Sequence, residues 1–432
     1  MKKIWNRNCI CLVFVLCLAA CSPSSTGSDS STEGSPGQTI EAVNSFYIYC
    51  NDAITGELLE SFLTERPEYR ERVHIVGMEE GNYPVLLENK LNDPNGEEYP
   101  DLAVMSQDMK DTYVERDVLA PVSSFGITEN DLSHMYDYML QYGMDSSGTL
   151  KALSWMDTAS VFVYRTSLAE EYLEITAPDA MEDAMNSWAA FADTAALLYT
   201  QSEGKVRILP ELDTVKKMLY YGNPNSWYPE GSADFVISDF LIDGLMGYKE
   251  LTEDLTWDKK IGTDDWYQAM SDGSTLGFFG NSYFVEQILA GQCGSTAGDW
   301  AVCLGPSSYE LDGIWLSGTS QCSDPDLAGE ILRYVTGKRS VLKKIAENHH
   351  IAVNHSSLMN TLSSSDQSHG DVLASGGMFT YASVSGSFLS QEDRTLNDLF
   401  WRDAEYYWDD TLDIEEVLER FVEDAEKNAG ND

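Results

Sequence analysis

The sequence is poor in positive charge and in histidine compared with its acidic content. Its 432 residues include 27 Lys and Arg against 71 Asp and Glu, with 6 His and a formal net charge of −44. A protein with this charge balance is repelled by nucleic acid and by anionic lipid headgroups. We therefore expect no nucleic-acid partner.

Cysteine is also scarce after the first 21 residues. Only Cys50, Cys293, Cys303 and Cys322 remain, which is too few for a disulfide scaffold in so long a chain. The sequence leaves open whether Cys293 and Cys303 form a disulfide or all four are free thiols.

The chain lacks the short motifs of several enzyme classes. It contains no His-Glu-x-x-His, no Gly-x-Ser-x-Gly and no Walker A sequence, whose residues carry metalloprotease, α/β-hydrolase and P-loop chemistry. His349, His350 and His355 come nearest to a metal-ligand cluster, but a predicted strand at 351–353 lies among them. We expect no metal, no cofactor and no catalysis, although acidic loops leave open a glycosidase pair of carboxylates.

Only one apolar run looks like a targeting signal, and it lies at the N-terminus. Basic residues precede an apolar segment at 10–18, which is too short to span a bilayer. Leu18-Ala-Ala-Cys21 at its end resembles a bacterial lipobox. The resemblance implies a lipoprotein signal peptide at 1–20, cleavage before Cys21 and a lipid on the Cys21 sulfur. An ordinary secretory signal with a chance cysteine is the alternative.

The segment at 21–40 is rich in Ser, Gly, Thr and Pro. Such a composition cannot bury a core and predicts a flexible tether. Together with a lipid on Cys21, it would hold the protein at the outer face of the cytoplasmic membrane without a transmembrane helix.

About 410 residues follow the signal, which is too many for one core and predicts two lobes. Strand patterns at 45–50, 73–78 and 102–105 alternate with helical patterns, which predicts a parallel sheet. A capping box at 128–131 predicts the start of a helix that extends to about residue 140. Further elements follow: strands at 150–155, 160–164, 206–209, 277–279, 299–303 and 313–316, and helices at 188–199, from 213, and at 325–335, 341–347, 396–408 and 414–425.

Four stretches in a fixed order carry a family resemblance. They are Leu150-Lys-Ala-Leu-Ser-Trp155 with Val161-Phe-Val-Tyr-Arg165, Leu276-Gly-Phe-Phe-Gly-Asn281, Gly298-Asp-Trp-Ala-Val-Cys-Leu-Gly-Pro306 continuing to Gly313-Ile-Trp-Leu-Ser-Gly318, and the helix pair at 325–347. In this order they resemble the extracellular solute-binding proteins of carbohydrate ABC transporters, the maltose-binding-like family.

The resemblance implies an α/β fold of the two-lobe periplasmic-binding-protein type, class II. Each lobe would have a mixed, mainly parallel sheet flanked by helices, with a ligand cleft between the lobes. Residues 41–155 and 315–352 would form lobe 1, and residues 156–314 and 353–432 lobe 2. The resemblance further implies a monomer that captures a mono- or oligosaccharide by lobe closure and delivers it to permease subunits in the membrane.

A sugar-binding cleft combines polar side chains with aromatic rings. Carboxylates and amides bond to hydroxyl groups, and the apolar face of a pyranose packs on a ring. Loops at predicted strand ends, where open parallel sheets bind ligands, and at the predicted lobe crossings supply both residue types. The ligand-binding candidates are Asn51, Asp52, Ser106, Gln107, Asp108, Trp155, Asp157, Glu211, Asp213, Trp227, Tyr228, Asn281, Tyr283, Trp315 and Phe379.

Each candidate also has a purely structural interpretation. The polar residues serve equally well as helix caps or turn residues, and the tryptophans as core residues. At the level of the whole protein, a receptor of the same fold for a polyamine or a peptide remains an alternative. A surface glycosidase is the third.

Overall fold

The computed structural model describes residues 45–77, 82–223, 225–229, 232, 234–251, 254–307, 312–362, 373–375 and 391–429. All of them belong to one compact unit. The predicted signal peptide, Cys21, the tether and Phe379 lie outside the described residues.

Eight strands occur in the described part of the chain and form two four-stranded sheets. They are β1 (Phe46–Tyr49), β2 (Val73–Val76), β3 (Leu102–Ser106), β4 (Val161–Arg165), β5 (Gly277–Gly280), β6 (Trp300–Cys303), β7 (Ile314–Gly318) and β8 (Leu373–Ser375).

The sheet with strand order β2-β1-β3-β7 defines the first lobe. β1 pairs in parallel with β2 and with β3, as the alternating strands and helices predicted. β7 arrives from a distant part of the sequence and pairs antiparallel with β3, with Leu102 opposite Gly318. The sheet is therefore mixed and mainly parallel.

The sheet with strand order β5-β4-β6-β8 defines the second lobe. It has fewer parallel pairs than expected, because β4 pairs antiparallel with both β5 and β6 and only β6 and β8 run in parallel. β4 is entered directly from the first lobe, so no strand-helix-strand unit precedes it to impose a parallel neighbour.

Helices flank both sheets. Those described are α1 (Ala53–Glu65), α2 (Tyr83–Leu91), α3 (Gln107–Val114), α4 (Glu129–Leu132), α5 (Asp137–Tyr142), α6 (Thr166–Leu173), α7 (Pro178–Ala184), α8 (Trp188–Gln201), α9 (Asp213–Tyr221), α10 (Asp239–Leu251), α11 (Asp264–Gln268), α12 (Ala290–Gln292), α13 (Pro325–Gly337), α14 (Arg339–His349), α15 (Ser356–Leu362), α16 (Gln391–Trp408) and α17 (Ile414–Ala429). A π-helical segment, Phe284–Leu289, precedes α12, and short 3₁₀ turns lie at Pro67–Tyr69, Val122–Phe125 and Gly294–Thr296.

Local sequence explains where the long helices begin and how closely they pack. The Asp52 carboxylate caps α1 by accepting from the Thr55 amide at 2.6 Å, and Ser187 caps α8 in the same way. Gly247 lets α10 lie against α8, since a Cβ there would fall 2.8 Å from the Trp188 carbonyl oxygen.

Within the described residues, the chain passes between the two sheets three times, and we call residues 153–160, 304–307 with 312–313, and 351–355 the crossing segments. The first of them bonds to β7, and the first and last bond to each other. Leu153 exchanges two backbone hydrogen bonds with Leu316, at 2.9 and 2.7 Å, and the Asn354 amide donates to the Trp155 carbonyl at 2.8 Å. One hydrophobic cluster runs from Phe46 through Trp155 to Trp300, so the core is continuous through the crossings.

Four predicted elements are shorter or less regular than expected. The helix predicted from the capping box is two short helices, α4 and α5, separated by residues 133–136. The segments at 150–155 and 351–353 form isolated bridges instead of strands, and so does 206–209, where only Arg207 pairs with Thr275. Two of these segments lie where the chain leaves one sheet for the other, so they lack a continuous strand partner.

Cys50, Cys293, Cys303 and Cys322 are free thiols in the structure. Burial raises the pKa of the Cys50 and Cys303 thiols to about 12, so they stay protonated. Within the described residues, no helix has the length and apolar content needed to cross a membrane.

We expect Asn354 to hold two crossing segments together. Its buried side chain accepts from the Tyr136 amide at 2.9 Å and donates to the Ser154 carbonyl at 3.1 Å. Asn354→Ala should lower the free energy of unfolding in urea by about 2 kcal/mol, because it leaves buried backbone groups without partners. Asn130→Ala, at an exposed position on α4, is the control, and its free energy of unfolding should stay within about 0.5 kcal/mol of the wild type. Equal losses in both variants would contradict this role.

Candidate functional site

The end of β3 supplies one wall of a cavity between the two sheets. β3 ends at Ser106, and α3 begins at Gln107, so the polar side chains of Ser106, Gln107 and Asp108 line the cavity at this edge. Gln107 is held in place on both sides. Its carbonyl oxygen accepts from the Trp315 indole at 2.6 Å, and its amide donates to Asp111 at 3.2 Å.

The end of β5 supplies the opposite wall. β5 ends at Gly280, and Asn281 and Tyr283 follow at the start of the π-helical segment and line the same cavity. The Asn281 side chain accepts from the Phe284 amide at 3.0 Å and donates to the Asp312 carbonyl at 3.1 Å. Two groups of predicted residues, far apart in sequence, therefore face one another.

The cavity has a volume of about 240 Å³ and is lined by residues of both lobes. Its polar lining includes Thr214 and Asp312 in addition to the residues already described. Its apolar lining comes from residues that the sequence reasoning missed, Ile261, Trp266, Tyr267, Phe279, Ile288 and Ile314. The adjacent aromatic pair at 266–267, in a segment rich in Gly, Asp and Thr, was the signal that could have identified this wall.

Asp52 and Tyr283 connect the lobes beside this cavity. The Tyr283 hydroxyl donates to the Asp52 carboxylate at 2.9 Å, while the other oxygen of that carboxylate caps α1. Burial and then the Asp52 charge raise the pKa of the Tyr283 phenol, which keeps it a hydrogen-bond donor. This bond joins the loop after β1 in the first lobe to the loop after β5 in the second lobe.

The three predicted tryptophans are fully buried. The Trp155 indole donates to the Thr55 hydroxyl at 2.8 Å, that of Trp227 to Asn397 at 2.8 Å, and that of Trp315 to Gln107 at 2.6 Å. None offers an exposed ring face in this conformation. Trp155 and Trp315 support the cavity wall from behind, and a direct contact with ligand stays a prediction for all three.

The remaining predicted residues lie outside the cavity lining. Asn51 and Asp213 are exposed, and Tyr228 is half-buried with its ring edge-on to Phe235. Glu211 caps α9 by accepting from the Thr214 amide at 3.0 Å, and burial raises the pKa of its carboxyl.

Asp157 lies inside a crossing segment and is almost fully buried. One oxygen accepts from the Tyr138 hydroxyl and from the Ala159 amide, the latter at 3.0 Å, and the other oxygen has no hydrogen-bond partner. Burial raises the pKa of the Asp157 carboxyl to about 6, against the effect of these hydrogen bonds.

No protein-family model and no curated protein sequence matches this chain. Solved structures match it in three dimensions. An extracellular solute-binding protein of family 1 gives a TM-score of 0.67 at 13% identity, covering 89% of this chain and 99% of its own.

Two further structures give similar values. The GacH receptor of Streptomyces glaucescens, solved unliganded and with acarbose, gives a TM-score of 0.64 at 14% identity, covering 90% of this chain and 98% of its own. The sugar-binding protein MalE from Xanthomonas citri gives a TM-score of 0.63 at 12% identity, covering 90% of this chain and 98% of its own. The predicted two-lobe, maltose-binding-like α/β fold is thereby confirmed over nearly the whole length of these proteins.

We expect Asp157 to make stability depend on pH. A carboxyl whose pKa is higher in the folded than in the unfolded chain binds more protons when folded, so its contribution falls as pH rises from 3.8 through about 6. The free energy of unfolding of the wild type, minus that of Asp157→Asn, should fall by about 2.5 kcal/mol between about pH 4 and about pH 8.

Urea titrations of both proteins at the two pH values measure this difference. Asp213→Asn, which removes an exposed carboxylate, is the control. A difference between wild type and Asp157→Asn that stays constant across this range would show that the buried carboxyl does not titrate as expected.

Proposed function

We propose that this protein is the substrate-binding component of an ABC importer, and that it captures a carbohydrate between its two lobes. The observation that carries the proposal is the cavity between the sheets, where the loops after β3 and β5 face one another. A ligand there contacts both lobes at once, so it favours the closed arrangement by its differential affinity.

The chemistry of the lining supports a carbohydrate as ligand. Ser106, Asp108 and Thr214 offer groups that bond to hydroxyls, and Tyr267 and Tyr283 offer partly exposed rings for the apolar face of a sugar. The fold is also that of structures described as sugar-binding or acarbose-binding proteins.

In this proposal the protein acts as a monomer and catalyses no reaction. The closed form docks on permease subunits in the membrane, and lobe 1 (41–155 and 315–352) and lobe 2 (156–314 and 353–432) move as the two jaws. A thermal-shift screen of the purified protein against mono- and oligosaccharides tests this, because a ligand that binds only the folded state raises its stability. If none of the carbohydrates stabilises the protein, the proposal is refuted. Turnover of a labelled oligosaccharide would favour a glycosidase.

We expect Tyr267 to contribute directly to sugar affinity. Its half-buried ring lines the cavity, edge-on to Trp266 at 5.2 Å between centroids. Tyr267→Ala should weaken the tightest-binding sugar about 10-fold in calorimetry, the scale of one lost aromatic contact. Tyr406→Ala, on the distant α16, is the control and should leave the affinity unchanged. If both variants bind like the wild type, the Tyr267 ring does not contact the ligand.

We further propose that Cys21 carries a lipid that anchors the protein to the outer face of the cytoplasmic membrane. A leash of about twenty flexible residues keeps a receptor at high effective concentration near its permease and leaves it free to rotate. Cells grown with a labelled fatty acid should label the wild type but not Cys21→Ala. Cys50→Ala, which removes a buried thiol, is the control and should keep the label. Label on Cys21→Ala would place the lipid on another residue. No label on the wild type would refute the proposal.

A further inference from the structure

Two carboxylates line the cavity, and they come from different parts of the fold. Asp108 follows β3 in the first lobe, and Asp312 lies in a crossing segment just before β7. They are the only charged residues in the cavity lining that the structure describes. The surrounding protein raises the pKa of the Asp312 carboxyl by desolvation, while the Lys217 charge lowers it and the Asp108 charge raises it.

Lys217 brings a positive charge to these carboxylates from the second lobe. It lies on α9, one turn after the lining residue Thr214, and its Nζ is 3.5 Å from the Asp108 carboxylate. Burial by itself lowers the pKa of Lys217, but the charges of Asp312 and Asp108 raise it overall, so the ammonium group keeps its proton.

The neighbouring lysines have other partners. Lys110 contacts the Asp111 carboxylate and donates to the Tyr142 carbonyl at 2.9 Å. Lys216 points to the other side of α9. Its Nζ lies 2.7 Å from Glu405, 5.5 Å from the centre of the Tyr248 ring and 5.3 Å from that of Trp408. Lys217 is thus the cation that couples electrostatically to both cavity carboxylates in the described structure.

We infer that Lys217 is a built-in counter-ion that makes the cleft select neutral solutes over cationic ones. A ligand carrying an ammonium group has to compete with Lys217 for Asp108 and Asp312 and is repelled by its charge. A neutral hydroxyl-rich ligand needs no such displacement. The inference rests on the proposed ligand-binding role of the cleft, and it excludes polyamines as the natural ligand.

The pair Lys217→Met and Lys216→Met tests the inference with closely matched surroundings. The two lysines are adjacent, and their side chains are 42% and 41% exposed. Without Lys217, the two carboxylates lack their neutralising partner and attract a dication. Calorimetry with putrescine at low ionic strength should show at least about 10-fold tighter binding to Lys217→Met than to wild type and Lys216→Met. The gain should disappear at about 0.5 M salt and in the Lys217→Met/Asp108→Asn double variant.

The same proteins are also titrated with the carbohydrate panel, which separates the inference from the proposed function. If Lys217→Met binds putrescine more tightly and none of the proteins binds a carbohydrate, the inference is supported and the carbohydrate proposal is refuted. Putrescine bound as tightly by wild type as by Lys217→Met, or an equal gain in Lys216→Met, would overturn the inference. If Lys217→Met folds poorly, Lys217→Gln replaces it, since glutamine keeps a hydrogen-bonding side chain without the charge. Lys217→Gln should show the same gain in putrescine affinity, and a folded variant without that gain would also overturn the inference.

Discussion

The candidate site lies where the chain crosses between its two sheets, and two of the crossing segments, 153–160 and 351–355, bond to each other. Backbone hydrogen bonds of 2.7–3.0 Å tie Leu153 to Leu316, Asp157 to Ala352 and Asn354 to Trp155. These bonds tie the crossing segments to the first sheet and to each other, beside the loops at the ends of β3 and β5. A cleft bounded by those loops follows directly from this arrangement.

The tryptophans show how such a site is supported from behind. Trp315 is fully buried and donates to Gln107, whose other end is held by Asp111. Trp155 is equally buried and donates to Thr55, which in turn bonds to Asp52. In each case a large apolar ring fills the interior and its single polar atom orients a residue at or beside the cavity. Rigid positioning of this kind lowers the entropy that a ligand has to overcome.

The charges of the cleft differ from those of the protein as a whole. The chain has a formal net charge of −44, yet the carboxylate of Asp108 is matched by Lys217 and that of Asp52 by the neutral donor Tyr283. Each of these contacts joins the first lobe to the second. These polar contacts between the lobes add to the hydrophobic core that is continuous through the crossing segments.

The sequence was sufficient for most strands, for the long helices and for one half of the site. Strands such as β1 and β3 are short apolar runs bounded by turn residues, and local patterns of this kind need no tertiary partner to be recognised. Ser106, Gln107 and Asp108 were predicted from the rule that ligands bind at strand ends in open sheets, and Asn281 and Tyr283 from the family resemblance of the segment at 276–281. All five line the cavity, and their contact with a ligand stays a prediction. Trp266 and Tyr267 were missed because they lie on a short helix, where no such rule marks them.

What the sequence by itself determined was the type of most elements and a set of polar loop residues. Only the tertiary structure decided which tryptophans face the interior, which strands of the second sheet run antiparallel, and that Lys217 meets Asp108. The physical reason is that the secondary-structure propensity of a segment and the spacing of its apolar residues depend only on a few neighbouring residues. Burial of a ring and pairing of charges 109 positions apart depend on how the crossing segments place two sheets in space.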